Sequence, residues 1–334
     1  MTILVAILLF GAIVFIHELG HFLLAKKNGV TIHEFSIGMG PKIFSIKRDV
    51  EYSIRLLPLG GFVSMEGEDG ESKDKNAFGK KSIIQRASIL FAGPFFNIVF
   101  AVILFIPVFM YIGTPGTTLS QIVPNSPAQV AGLQEGDKIE SVSGEKVNSW
   151  QDVVTNLTNS EGKEVKLVID RDGKDQELNI VPEKNEEGRY VIGIAPKYEK
   201  SITKAIATAF TTTGDMIVQM VKFVGQLITG TVPGGVSNSV TGPIGVISLV
   251  SDAAKTGIIN VVYIGAIISL NLGILNLLPI PALDGGRLLM ILIEALRGGK
   301  KIDPNKEATL HIIGFGALML FMLFVTYKDI LRLF

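Results

Sequence analysis

Four stretches of this 334-residue chain are apolar over about the length a bilayer requires: roughly Thr2–Ala25, Ile89–Ile112, Ile258–Leu278 and Leu310–Thr326. A helix needs about 20 apolar residues to cross the hydrocarbon core. In lipid the backbone must satisfy its own hydrogen bonds, so segments of this kind are confined to helices. That constraint makes their polar interruptions informative. The first stretch, from Ile3 to Ala25, is broken by His17, Glu18 and His21. Ionisable groups inside a span are costly and mark function. His17 and His21 are four residues apart, share one helix face, and can reach one metal ion. Glu18 stands next to the first imidazole, where a general base for metal-activated water belongs.

Composition narrows the possible site. Cys is absent, which removes disulfides and thiolate-held zinc and leaves His, Asp and Glu as ligands. The chain holds four histidines, and two of them lie in this pentapeptide. Lys+Arg and Asp+Glu both number 31, so bulk charge gives no ground for a nucleic-acid partner. The N-terminal run lacks a basic leader and a small-residue cleavage site, so it reads as a span and not a secretory signal.

The expected fold is a polytopic α-helical membrane protein with four transmembrane helices, a β region and one extracytoplasmic α+β domain. Residues 1–26 form the first span and 27–87 a cytoplasmic β-hairpin region. Residues 88–113 form the second span, 114–198 the α+β domain, and 199–256 an amphipathic segment and loop. Residues 257–284 make a span ending in Leu283-Asp284-Gly285, 285–308 a cytoplasmic loop, and 309–327 the last span. Within 31–65, glycines 38, 40, 60 and 61 punctuate four short strands, and Ser149–Leu157 reads as a helix. Val232–Gly245 reads as a loop.

Basic residues set the orientation. Lys26, Lys27, Lys80, Lys81 and Arg86 flank one connection, and Arg287, Arg297, Lys300, Lys301 and Lys306 occupy another. Both are expected on the cytoplasmic side. The first and third spans then enter from the same side, which brings Asp284 to the depth of His17 and His21. Catalytic zinc takes three protein ligands and keeps one open position, so Asp284 is the leading third ligand. Zinc lowers the pKa of its water toward about 7, and Glu18 would take the proton. Pro279 and Pro281 break the third span, and Asn276 beside them either contacts substrate or repairs the freed carbonyls. Asn97 is expected to bond a neighbouring helix. His33 and His311 read as ordinary loop and span-end residues, and Glu294 as a solvated or interfacial charge.

These motifs carry a family likeness. HELGH in the first span and NLLPIPALDG at Asn276–Gly285 resemble the two signatures of the site-2 proteases, which are intramembrane zinc metalloproteases. GPFFN at Gly93–Asn97 is similar to that family's second-span motif. The order of elements looks like the bacterial regulator-of-sigma-E protease group. The stretch IVPNSPAQVAGLQEGDKIESVSGEKV resembles part of a single PDZ domain spanning 117–197. The resemblance implies Zn2+ held by His17, His21 and Asp284, with Glu18 as catalytic base. It implies that the 27–87 β-hairpin region is membrane-associated, that Asn276 and the Gly38-Met39-Gly40 turn handle substrate, and that an unwound substrate adds as a strand to the β region. Implied partners are the lipid bilayer and single-span membrane proteins already trimmed outside, such as anti-sigma factors or remnant signal peptides. The PDZ-like domain would contact their outer portion. The implied location is the bacterial cytoplasmic membrane. A membrane-anchored binding scaffold without activity is the alternative, and the intact Glu18 argues against it.

Overall fold

The computed structural model of the protein describes residues 2–68, 70, 72–185, 188–232 and 241–333. In chain order it has α1 (Thr2–Lys27), β1 (Ile32–Lys47), β2 (Glu51–Met65), α2 (Ile83–Ile112) and β3 (Thr114–Ile122). Then follow α3 (Pro127–Val130), β4 (Lys138–Val142), β5 (Glu145–Lys146), α4 (Trp150–Asn159), β6 (Val165–Arg171) and β7 (Lys174–Ile180). Next are β8 (Glu183–Lys184), β9 (Tyr190–Val191), β10 (Ile194–Glu199) and α5 (Ile202–Thr229). The chain ends with α6 (Pro243–Thr256), α7 (Ile258–Asn276), α8 (Asp284–Leu296) and α9 (Pro304–Leu333). Two compact units result, one of Phe109–Thr208 and one of Met1–Val108 with Ala209–Phe334.

Within the described residues, α1, α2, α7 and α9 are long and apolar enough to cross a membrane. The strand region between α1 and α2 is more continuous than the glycine spacing predicts. Its four expected short strands are the four pairing segments of two long, bent ones. Residues 34–37 pair with 64–61 and also with 51–54, while 42–47 pair with 55–51. Both strands therefore fold over on themselves, and segment 61–65 lies at one margin of the pairing. Phe22, Phe35 and Tyr52 pack ring against ring where this sheet meets α1.

Three further expectations are corrected. The third span does not run to Asp284: α7 stops at Asn276, because the pair of prolines that follows cannot continue a helix. Residues 285–308 are not simply a loop, since Asp284 opens the 13-residue helix α8. The glycines after Asp284 serve close packing: a Cβ on Gly285 would overlap the carbonyls of Leu277 and Leu278. The expected Val232–Gly245 loop gives way to α6 from Pro243, a residue suited to the first helical turn; positions 233–240 lie outside the described residues.

Glu294 is not a solvated charge. It is 6% exposed and accepts a 2.7 Å bond from Arg86, itself 7% exposed, which ties α8 to the start of α2. The pair is a helix-to-helix clamp because a buried charge must be paired. Asp329 on α9 is handled similarly: buried, it accepts from the amides of Gly242 and Gly245 at the start of α6.

The Phe109–Thr208 unit is a sheet in the order β10-β3-β4-β6-β7, with β5 paired to β4 and with α3 and α4 as its helices. Alternating Val165, Leu167 and Ile169 on β6 join Leu119, Ile139 and Val142 in its core. Ser149 caps α4 in a reciprocal capping box with Asp152. Buried Asp137 accepts from both Nε and Nη2 of Arg171 at 2.7 Å and from the Gln134 amide at 2.8 Å. Burial alone would raise its pKa, but the Arg171 guanidinium and these bonds hold it below the ordinary aspartate value.

Two outcomes follow from these buried charges. Arg86→Ala should destabilise the protein by about 3–5 kcal/mol through the uncompensated Glu294, whereas an Arg86→Met, Glu294→Leu double variant should recover most of that loss in thermal melts in detergent. A carboxyl with a lowered folded pKa stabilises fully above its unfolded value of about 3.9 and loses that contribution as pH falls through the folded one. Trp150, the chain's single tryptophan, packs on this core and reports its melting. Its transition should drop below about pH 4 in the native chain. Arg171→Ala should cost about 1.5–3 kcal/mol at pH 7 and flatten that acid dependence.

Candidate metal centre

The site is built where α1 lies against α2. Gly20 makes the approach possible, since a Cβ there would sit 2.5 Å from the Ala92 carbonyl oxygen. Gly93 makes room for a ligand: its added Cβ would fall 2.6 Å from Cε1 of His21 and closer still to Nε2. With the helices this close, Nδ1 of His21 lies 2.9 Å from the Ile89 carbonyl and donates to it. Nε2 of His21 therefore keeps its lone pair.

Three ligand atoms converge. Nε2 of His17 and Nε2 of His21 are 3.2 Å apart. Oδ2 of Asp284 lies 3.1 Å from the first and 3.4 Å from the second. Both histidines are buried and Asp284 is half-buried. Among the described residues these are the His, Asp and Glu side chains grouped closely enough to hold one ion. Zinc bonds of about 2.0–2.1 Å at tetrahedral angles put neighbouring ligand atoms about 3.3 Å apart, which the three spacings match. Asp284 Oδ2 is buried without a hydrogen-bond partner, as a ligand atom awaiting a cation would be. The donor set of two imidazoles and one carboxylate suits Zn2+.

Glu18 follows His17 on the same helix and is half-buried. The Val63 backbone lies near its carboxylate, and a Cβ on Gly61 would sit 3.1 Å from its Cγ. The neighbours of Glu18 on the sheet are thus residues 61–63 of β2, which the sequence reading did not single out. Gly38, Met39 and Gly40 lie on the bend of β1, with Met39 paired to Leu57 and exposed. Asn276 closes α7, half-buried, with no hydrogen bond to the ligand cluster.

Two histidine and asparagine contacts add to the site. His311 on α9 accepts the Ala282 amide on Nδ1 at 2.9 Å. Ala282 has φ of 78°, a left-handed conformation costing a non-glycine residue about 1–3 kcal/mol. His311 is therefore a brace on the turn that delivers Asp284, and not an ordinary span-end residue. Asn97 on α2 is fully buried and places its carboxamide 3.2 Å from Nδ1 of His17. Its signal in the sequence was a polar residue in an otherwise apolar span.

Because a methyl group at position 93 would occupy the place of the His21 ring, Gly93→Ala should weaken metal binding at least about 10-fold while leaving helix content intact. Metal analysis beside circular dichroism checks this, and a full metal complement would contradict it.

Comparison with known proteins agrees with the geometry. The description Peptidase family M50 matches residues 5–321. A Clostridium acetobutylicum protein provisionally named as a zinc metalloprotease is 40% identical over 333 residues, covering 98% of this chain and 97% of its own. The regulator of sigma-W protease RasP of Bacillus subtilis is 35% identical over an alignment of 421 positions, covering 100% of this chain and 99% of RasP. Zinc metalloprotease RasP of Bacillus licheniformis is 34% identical over 420 positions, with 100% and 99% covered. Among solved structures, the PDZ domain of an SdrC-like protein from Listeria innocua aligns with 25% of this chain and 96% of its own, at 25% identity and a TM-score of 0.23. With its apolar helices and matching relatives, the chain belongs to peptidase family M50, the site-2 proteases, and is a membrane zinc metalloprotease.

Proposed function

We propose that the protein cleaves transmembrane segments of single-span membrane proteins, with His17, His21 and Asp284 holding Zn2+ and Glu18 acting as general base. The convergence of three ligand atoms beside a carboxylate, within helices apolar enough for a bilayer, carries this reading. When bound, the ion supplies Lewis-acid polarisation and acidifies water. Glu18 takes the proton from the attacking water and returns it to the leaving amine. His21 is held in one tautomer by the Ile89 carbonyl, so its geometry is set before substrate arrives.

A helical peptide bond is shielded by its own hydrogen bonds and must be extended before attack. Segment 61–65 of β2 supports a way to do this. It pairs with 37–32 along one side, and its Gly61 lies against the Glu18 side chain. An unwound substrate added along that margin would lie beside the catalytic carboxylate. Asn276 and the bend at Gly38-Met39-Gly40 are proposed to guide it. Exposed Ile43, Phe44, Leu56 and Leu57 around that bend suit contact with lipid or an apolar substrate.

Exposed Lys26, Lys27, Lys80, Arg297, Lys300 and Lys301 support a cytoplasmic placement of the 27–87 and 285–308 regions in a bacterial cytoplasmic membrane. Arg86 drops out of that tally, because its charge is spent on Glu294. The Phe109–Thr208 unit then lies outside as a PDZ-like domain meeting the outer part of substrates. Trimmed anti-sigma factors and remnant signal peptides fit this scheme, and the similarity to the Bacillus subtilis regulator of sigma-W protease supports the first.

Glu18→Gln should retain Zn2+ yet lose about 100-fold or more of its cleavage rate on a single-span model substrate in detergent or liposomes. Asp284→Ala should lose both metal and activity. Wild-type cleavage by Glu18→Gln, or stoichiometric zinc in Asp284→Ala, would overturn these assignments.

A further inference from the structure

Asn97 faces His17 in an arrangement that chemistry permits in only one sense. Its carboxamide is fully buried, with Nδ2 lying 3.2 Å from Nδ1 of His17 and Oδ1 buried without a hydrogen-bond partner. A neutral imidazole carries one proton. If Nε2 of His17 offers its lone pair to a cation, the proton is on Nδ1, and Nδ1 can only donate. Two donors cannot face each other at that distance. Turning the carboxamide by 180°, an orientation that differs only in which end is oxygen, brings Oδ1 onto Nδ1–H. It also gives the unpartnered oxygen its bond.

We propose that Asn97 is a positioning residue whose carboxamide oxygen accepts the Nδ1 proton of His17 and so fixes the tautomer that presents Nε2 to Asp284 and His21. This rests on the metalloprotease reading of the same site. The helix α2 then serves both histidines alike, with the Ile89 carbonyl for His21 and the Asn97 side chain for His17. Asn97 is itself anchored. Its backbone carbonyl accepts the Ser269 hydroxyl at 2.8 Å, and a Cβ on Gly273 would lie 3.3 Å from its own Cβ, so α7 packs directly against it. Partners of this kind orient metal-bound histidines and typically contribute 10- to 100-fold to affinity.

The test is Zn2+ affinity of the full chain in detergent, by competition with a chelator, together with the visible absorption of the Co2+-loaded protein. Asn97→Leu, which has no acceptor, should bind Zn2+ about 10–100-fold more weakly and alter the Co2+ bands. Asn97→Asp, which can only accept, should stay near wild-type affinity. Asn97→Ala replaces the Leu variant if circular dichroism shows that the latter does not fold. Wild-type affinity in the variant lacking an acceptor, or equal losses in Leu and Asp, would overturn the proposal while leaving the metal centre standing. A wild-type chain that binds no Zn2+ would overturn the metalloprotease reading, and this inference with it.

Discussion

The close approach of α1 to α2 is the contact on which the site depends. It exists because Gly20 and Gly93 present no side chain to the facing helix. Small residues let helices meet where lipid supplies no hydrophobic drive between them. At that separation the imidazole of His21 reaches a backbone carbonyl and that of His17 reaches a buried carboxamide. Neither ring could be steered this way from a greater distance. The candidate third ligand comes from another element, and the break after α7 delivers it: the prolines end the helix, His311 steadies Ala282, and Asp284 begins α8 facing the two rings.

The same economy governs the other charges in this unit. Arg86 meets Glu294, and Asp329 meets two backbone amides, so each ionic group that leaves water finds a specific partner. Such pairs contribute little net stability over apolar packing but are costly to break. They therefore act as registers, fixing how α8 sits against α2 and how α6 sits against α9. Arg287 on α8 is likewise paired with Glu68 in the connection before α2. A metal centre needs this fixity, because an error of a few tenths of an ångström in ligand placement degrades affinity.

Much of the architecture was legible in the chain. The four apolar runs, the helix at Ser149–Leu157 and the i, i+4 histidines follow from local periodicity, which needs no knowledge of the fold. Asp284 was reachable by combining span direction with the demand for a third ligand. The helix α8 was not, because the packing role of the glycines after Asp284 involves carbonyls outside the helix. Glu294 also escaped, since its partner lies 208 residues away. The four strands read between residues 31 and 65 are the four pairing segments, and the backbone bends between them near the glycines to form two long strands.

By itself, the sequence determined which segments are long and apolar enough for a bilayer, which residues could offer lone pairs to one cation, and which carboxylate stands beside them. Those are properties of spacing and solvation, and they act over a few helical turns. The tertiary structure alone decided which nitrogen of each imidazole is turned to Asp284, which strand lies against Glu18, and which charges are consumed by partners. Those outcomes depend on contacts between helices remote in the chain, where ångström-scale distances and the geometry of a single hydrogen bond select one arrangement among many with the same pattern of residues.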